Sequence, residues 1–130
     1  MRFLAVLPLL LIFQAAEAAE SRKLAAPSRA QTMLGDVGVM ANKDDERCNI
    51  VLFESKVQHG YRIQVDNGCS SAFPVMGKVS AWRVYTDGDI SFVHASGSDL
   101  IRFRGKGFKR APTTSVDGIK FLSSAQEAAE

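Results

Sequence analysis

Short runs of alternating apolar and polar residues, broken by turn-forming pairs, constrain the fold of this chain more than any other feature. The clearest example is AWRVYTDGDISFVHA (81–95), in which Asp87-Gly88 separates two alternating runs. Alternation with a period of two puts one face of a strand against a core, and an Asp-Gly pair favours a chain reversal. The stretch therefore predicts a β-hairpin with one buried face.

Similar short runs recur on both sides of this hairpin and bring the predicted strand count to eight. They are found at 36–40, 48–54, 61–66, 98–105, 108–112 and 117–122. Few helical signals interrupt them, so the sequence predicts an all-β antiparallel barrel or sandwich, in which closure removes exposed strand edges. The predicted interior positions are Ile50, Leu52, Ile63, Val65, Trp82, Val84, Ile90, Phe92, Ile101, Phe103, Ile119 and Phe121.

The first eighteen residues have the pattern of an export signal. A single early cation, Arg2, precedes an apolar run from Phe3 to Phe13, and Ala16-Glu17-Ala18 supplies a small-x-small cleavage site. The apolar run is shorter than the roughly twenty residues that span a bilayer, so we expect no stable membrane insertion. The sequence predicts a cleaved signal peptide over 1–18, a mature start at Ala19 and export of the mature protein.

Removal of residues 1–18 leaves 112 of the 130 residues, which suits one compact domain. Residues 19–33 are predicted to form a loose leader followed by a short helix that begins near Pro27-Ser28. The β-barrel domain is predicted over 34–122, and the polar residues 123–130 are predicted to be a disordered tail. The net charge of +2 is too small to imply a polyanionic partner.

Cys48 and Cys69 are the only cysteines. An even number in an exported chain favours a disulfide, with two buried free thiols as the alternative. Closing a loop of about twenty residues stabilises a fold by about 3 kcal/mol in the chain-entropy model.

Residues suited to catalysis or metal binding are few. His59 precedes Gly60 in a predicted turn, and His94 shares a strand face with apolar residues, so neither is placed as a catalytic base. The acidic run at 44–46 lacks the spacing of a calcium loop, and the usual ligands of a structural zinc site are missing. We therefore expect no enzymatic activity, no bound metal and no cofactor.

The basic stretch RFRGKGFKR, Arg102 to Arg110, has a pattern that single-stranded nucleic acid could recognise, with cations between two phenylalanines. Exported proteins rarely meet nucleic acid. We interpret the stretch as a hairpin with a solvated outer face and inward-pointing aromatic rings, contact with anionic glycolipid being the alternative.

Two spacings together resemble a known family. They are Cys48-x-Ile50-x-Leu52 followed by Cys69, and Trp82 followed by Asp87-Gly88-x-Ile90. In this order they resemble the bacterial AprI/Inh family of metalloprotease inhibitors, over a region from about Pro27 to Leu122. The chain differs from the family pattern at Val37, where a tryptophan is usual, and in a longer, more basic leader.

The resemblance implies a small eight-stranded antiparallel β-barrel with one disulfide, monomeric and periplasmic. It implies a partner, a zinc metalloendopeptidase of the serralysin type, whose active-site cleft receives the leader while the barrel docks outside. The residues so implied are Ala19, Glu20, Ser21, Arg22 and Lys23, with the terminal amine approaching the catalytic zinc. The competing hypothesis is a periplasmic barrel that binds a small apolar ligand or an envelope component.

Overall fold

A computed structural model describes residues 24–30, 37–105 and 107–125. The predicted signal peptide and the leader residues 19–23 lie outside the described residues. The described part contains nine strands: β1 (Leu24–Ala25), β2 (Val37–Asn42), β3 (Arg47–Val57), β4 (Gly60–Val65), β5 (Val79–Tyr85), β6 (Ile90–His94), β7 (Asp99–Phe103), β8 (Lys109–Arg110) and β9 (Ile119–Ser124). A helix, α1 (Cys69–Ala72), and a 3-10 helix (Pro74–Lys78) connect β4 to β5.

Eight of the strands form a nearly closed antiparallel barrel, as the sequence predicts. Their order is β7-β6-β5-β4-β3-β2-β9-β8, and β1 pairs with β5 outside this path. A seam between the two ends is bridged where Phe103 pairs with Pro112. Beside the bridge, the backbone amide of Arg104 donates to Ala111 (2.8 Å), and that of Thr113 donates to Arg102 (2.8 Å).

The hairpin predicted from residues 81–95 is present as β5 and β6. Trp82 pairs with Phe92, and Val84 pairs with Ile90. Gly88 adopts a φ of 96°, a conformation that costs glycine little, and the Asp87 carboxylate accepts a hydrogen bond from the amide of Asp89 (3.0 Å). The Asp-Gly pair therefore reverses the chain for the reason that the sequence suggests.

Large side chains fill the barrel interior. Trp82, Phe73, Phe92 and Phe103 are completely buried, and the last two rings pack edge to face with centroids 5.3 Å apart. Nine of the twelve predicted interior positions are buried: Ile50, Leu52, Trp82, Val84, Ile90, Phe92, Ile101, Phe103 and Ile119. Ile63 and Val65 are partly buried and pack against this core.

Phe121 was predicted to be inside the barrel and is only partly buried. The register between β2 and β9 shifts between Ala41 and Asn42, so that Ile119 and Leu122 are both buried. The shift breaks the simple alternation on which the prediction rested. The Phe121 ring instead receives the ammonium of Lys109, 4.3 Å from its centroid.

The disulfide predicted between Cys48 and Cys69 is present and joins β3 to α1. The predicted short helix after Pro27 is present over 28–30 as far as the described residues reach.

The boundary of the C-terminal tail requires a correction, because β9 continues to Ser124. Ser123 and Ser124, which the sequence assigned to a disordered tail, are buried because they pair with β2.

Candidate functional site

The segment that follows Lys23 is fixed to the barrel by β1. Leu24 pairs with Tyr85 and Ala25 with Val84, in antiparallel register along β5. On the same strand, Trp82 pairs with Tyr61 of β4. β1 thus continues the pairing of β5 beyond the point that β4 reaches, and Leu24 lies opposite Tyr85 at the C-terminal end of β5.

The hairpin of β3 and β4 forms the neighbouring wall. Residues 54–57 of β3 are exposed, so this end of the hairpin extends past the core. Gly60 is required here, because a Cβ atom at this position would lie 2.4 Å from the carbonyl oxygen of Trp82. His59 has a φ of 70°. Its ring lies against Gly97, in the turn between β6 and β7. The hairpin end is therefore held close to β5.

A groove of about 370 Å³ lies between β1 and this hairpin end. Its lining residues combine apolar and basic side chains and include no carboxylate: Leu24, Ala25, Lys56, Val57, His59, Gly60, Tyr61 and Arg83. Leu24 is 46% exposed and Val57 is 40% exposed, two of the three large apolar side chains that are exposed in the described part of the chain. The groove thus offers an apolar surface with basic neighbours.

A network of hydrogen bonds centred on Asp99 holds Arg83, one of the residues that line the groove. Asp99 accepts hydrogen bonds from Ser91 (2.6 Å), Tyr85 (2.7 Å) and Arg83 (2.8 Å). Burial alone would raise the pKa of Asp99, but these three donors, led by Ser91, lower it below its ordinary value. The guanidinium of Arg83 also donates to the carbonyl of Gly97 (3.1 Å). The network fixes the orientation of Arg83 beside the groove.

Burial and the hydrogen bond to Asp99 raise the pKa of the Tyr85 hydroxyl. For Arg83, burial acts to lower the pKa, and the hydrogen bond to Asp99 with the surrounding charges raises it. Tyr85 and Arg83 therefore keep their ordinary protonation states around neutral pH. The Asp99 carboxylate thus accepts hydrogen bonds from two neutral hydroxyl groups and one guanidinium cation.

The other residues considered from the sequence lie apart from one another. His59 borders the groove, whereas the Nδ1 atom of His94 accepts a hydrogen bond from the amide of Ser96 (3.0 Å) in the turn after β6. The acidic residues 44–46 are exposed in the loop before β3. Within residues 24–30, 37–105 and 107–125, no group of three or more His, Cys, Asp or Glu side chains could hold a metal ion.

The basic stretch from Arg102 to Arg110 differs from its predicted form. Phe103 is buried as expected, but Phe108 is 55% exposed. Arg102 forms ion pairs with Asp89 (2.8 Å) and Asp87 (3.1 Å). Its guanidinium is therefore held against the β5–β6 turn.

Arg110 is almost completely buried, not solvated, and donates to the carbonyl oxygens of Gly88, Gly105 (2.8 Å) and Gly107 (3.2 Å). All three glycines have positive φ. Burial lowers the pKa of Arg110. The stretch is thus a structural element, and its cations are largely used within the fold.

The groove itself was not predicted from the sequence. Leu24 and Ala25 were assigned to a loose leader, because two residues are too few to show an alternating pattern. The exposed end of β3 follows a register shift between Leu52 and Lys56, which alternation does not reveal. One feature of the sequence could have indicated the groove. Val57 is an apolar residue that follows Lys56 and directly precedes a turn, where it has no neighbouring strand face on which to be buried.

Comparison with known proteins identifies the family. The sequence profile of the protease inhibitor Inh family matches residues 27–121, which include both cysteines and strands β2 to β8. No curated protein and no solved structure gives a significant match. Among the described residues, no helix has the length and apolar character needed to cross a membrane. Because the profile covers most of the chain and includes the β5–β6 hairpin and the disulfide, this chain belongs to the protease inhibitor Inh family, the AprI/Inh family.

Proposed function

We propose that this protein inhibits zinc metalloendopeptidases of the serralysin type, with the leader from Ala19 to Lys23 in the active-site cleft and the barrel docked outside it. Family membership supports the role of protease inhibitor. The observation that carries the leader mechanism is the pairing of Leu24 and Ala25 with β5. It gives the five preceding residues a fixed starting point on a rigid body, which reduces the entropy lost on binding.

The inhibitory chemistry requires no reaction by this chain. A catalytic zinc ion keeps one coordination position open for water or substrate, and a neutral terminal amine has a lone pair that can occupy it. The amine of Ala19 would then displace the water needed for peptide hydrolysis. The protein is accordingly proposed to act as a monomeric, non-enzymatic inhibitor.

The barrel interior favours inhibition over the binding of a small apolar ligand. Trp82, Phe73, Phe92 and Phe103 occupy the space that a ligand inside the barrel would need. The groove beside β1 lies on the outside of the barrel, where it can contact a protein surface.

Deletion of residues 19–23 is the direct test of the leader mechanism. The protein beginning at Ala19 should inhibit a serralysin-type protease, and the truncated protein should lose most of that inhibition while keeping its melting temperature. Papain and subtilisin serve as control proteases, because neither offers a zinc ion to the amine. Acetylation of Ala19 should also weaken inhibition, since it removes the basicity of the nitrogen.

Equal inhibition by the intact, truncated and acetylated proteins would refute the leader mechanism. Inhibition of subtilisin or papain instead of the metalloprotease would refute the proposed target class. Export and cleavage of the signal peptide are tested by mass spectrometry. Protein isolated from the periplasm should have Ala19 as its first residue. A start beyond Lys23 would mean that the proposed leader is removed before it can act.

A further inference from the structure

The leader mechanism assigns no role to the groove beside β1. The groove is nevertheless lined by Leu24, the residue that follows the proposed leader. We propose that this groove is a second contact site for the protease, and that it receives a surface segment of the protease in which an apolar side chain lies next to a carboxylate. This inference rests on the proposed function and specifies the partner surface that the barrel recognises.

Chain length requires that the protease come close to the groove. Five fully extended residues span at most about 18 Å, so a cleft that holds Ala19 lies within that distance of Leu24. Leu24 itself lines the groove. A protease surrounds its cleft with surface that extends further than this distance, so the groove is within reach of that surface.

The apolar character of the groove indicates what such a surface would bury there. Leu24 and Val57 approach the groove from opposite walls, and both retain a large exposed fraction. Tyr61 adds an aromatic ring that packs on Trp82, with centroids 5.7 Å apart. An apolar side chain of a partner would cover these groups, and removing them from water would favour association.

The charges around the groove indicate why the protease segment would carry a carboxylate. Lys56, His59 and Arg83 line it, and no carboxylate does. Arg83 is already paired with Asp99, whereas Lys56 has no ion pair within the described part of the chain. Complementary potential therefore favours an acidic partner segment.

The walls of the groove are formed before any partner binds. The absence of a side chain at Gly60 lets β4 approach β5, and the contact of His59 with Gly97 holds the turn. Asp99 fixes Arg83 through a 2.8 Å ion pair. A site of this kind loses little entropy on binding, which suits a contact that assists the leader.

Charge reversal at Lys56 tests the inference against a matched control. Lys56→Glu changes the groove, and Lys120→Glu makes the same change at an exposed lysine on β9, which β2 separates from β3. Both variants keep the leader. We expect Lys56→Glu to raise the inhibition constant for the serralysin-type protease about tenfold, and to make inhibition less sensitive to salt. Lys120→Glu should have no more than about a twofold effect.

The apolar contact between the groove and the protease is tested by Val57→Ser, which should also weaken inhibition. Melting temperatures equal to that of the unchanged protein confirm that each variant is folded. A barrel that lacks residues 19–23 should still bind the protease weakly in calorimetry, and Lys56→Glu should remove that residual binding. This measurement separates the groove from the leader.

The possible failures are distinguishable. If the intact protein inhibits no metalloprotease, the proposed function is wrong and this inference falls with it. If the intact protein inhibits but Lys56→Glu and Lys120→Glu both inhibit equally well, only the inference is overturned. A small molecule that native mass spectrometry finds bound, and that Val57→Ser releases, would make the groove a ligand site and also overturn the inference.

Discussion

Trp82 connects three strands through a single side chain. Its ring is completely buried, and its indole nitrogen donates to the carbonyl oxygens of Phe53 and Arg62, both at 3.0 Å. The first of these carbonyls lies in the stretch where the β3–β4 register shifts. The indole therefore supplies a hydrogen bond at an irregular part of the ladder, where an unsatisfied buried carbonyl would be costly.

Trp82→Ala should lower the free energy of unfolding by about 3–5 kcal/mol, because it removes a large buried ring and leaves a cavity. Trp82→Phe should cost less, about 1–3 kcal/mol, mainly through the loss of the donor. Urea denaturation measures both values. Phe108→Ala, at an exposed ring, is the control and should change stability by less than about 0.5 kcal/mol. A Trp82→Phe variant as stable as the original would show that the two hydrogen bonds contribute nothing.

Asp99 gives the stability of the protein a specific pH dependence. Its pKa is lower in the folded protein than its ordinary value of 3.8, since the hydrogen bonds from Ser91, Tyr85 and Arg83 outweigh burial. The unfolded chain then binds the proton more readily, so stability rises with pH in this range. The contribution of Asp99 is present above about pH 4 and is lost as pH falls through its folded pKa.

Asp99→Asn should therefore destabilise the protein at pH 7, and the difference from the original protein should shrink below about pH 4. Denaturant melts at pH 7 and pH 3 measure this. Asp45→Asn makes the same change at an exposed loop residue and serves as the matched control. An unchanged difference at both pH values would contradict the assignment of the shift to Asp99.

At the scale of elements, regular alternation predicted strands well and irregularities poorly. β5 and β6 flank Asp87-Gly88 and were located closely, and the four interior positions predicted on them are buried: Trp82, Val84, Ile90 and Phe92. The register shift in β9 misplaced Phe121, because one extra residue reverses which face is buried. The leader residues carry the proposed function but show no alternating pattern in the sequence, so only the resemblance to a family could indicate them.

The groove and the buried Arg110 were missed for another physical reason. Each depends on elements far apart in sequence, such as the approach of β1 to the β3–β4 hairpin or of Arg110 to Gly88. Hydrophobic periodicity reports on local structure and cannot show which loops meet. A basic residue was accordingly expected in solvent, where cations usually lie.

The disulfide connects the elements where the strand pattern is interrupted. Cys48 lies at the start of β3, and Cys69 begins α1 in the irregular connection between β4 and β5. Cys69→Ser should lower the free energy of unfolding by about 2–5 kcal/mol, since the unfolded chain regains freedom. Denaturant melts measure the loss, and a variant with serine at both positions controls for the free thiol of Cys48. Two reactive thiols in the native protein would refute the pairing.

Considered as a whole, the molecule is a nearly closed barrel whose two end strands meet at a lightly paired seam. The seam at Phe103 and Pro112 consists of a single bridge with two flanking hydrogen bonds, whereas β5 and β6 pair along five positions. Proline has no amide proton, so the seam cannot gain a further hydrogen bond there. Local opening should therefore begin at this seam.

Hydrogen exchange tests this expectation. The amides of Arg104 and Thr113 should exchange faster than those paired between β5 and β6, because seam opening needs less free energy than global unfolding. Exchange of all these amides at the rate of global unfolding would show that the seam is as stable as the rest of the barrel.

The short pairing of β1 with β5 also determines how much of the N-terminus the molecule can lose. Trimming by contaminating proteases up to Lys23 leaves the backbone of Val84 and Tyr85 covered by Ala25 and Leu24. Loss of two further residues would expose that stretch as an unpaired strand edge, which can pair with the same edge of a second molecule. The first cut would remove only the proposed leader, and the second would produce a protein prone to self-association during storage.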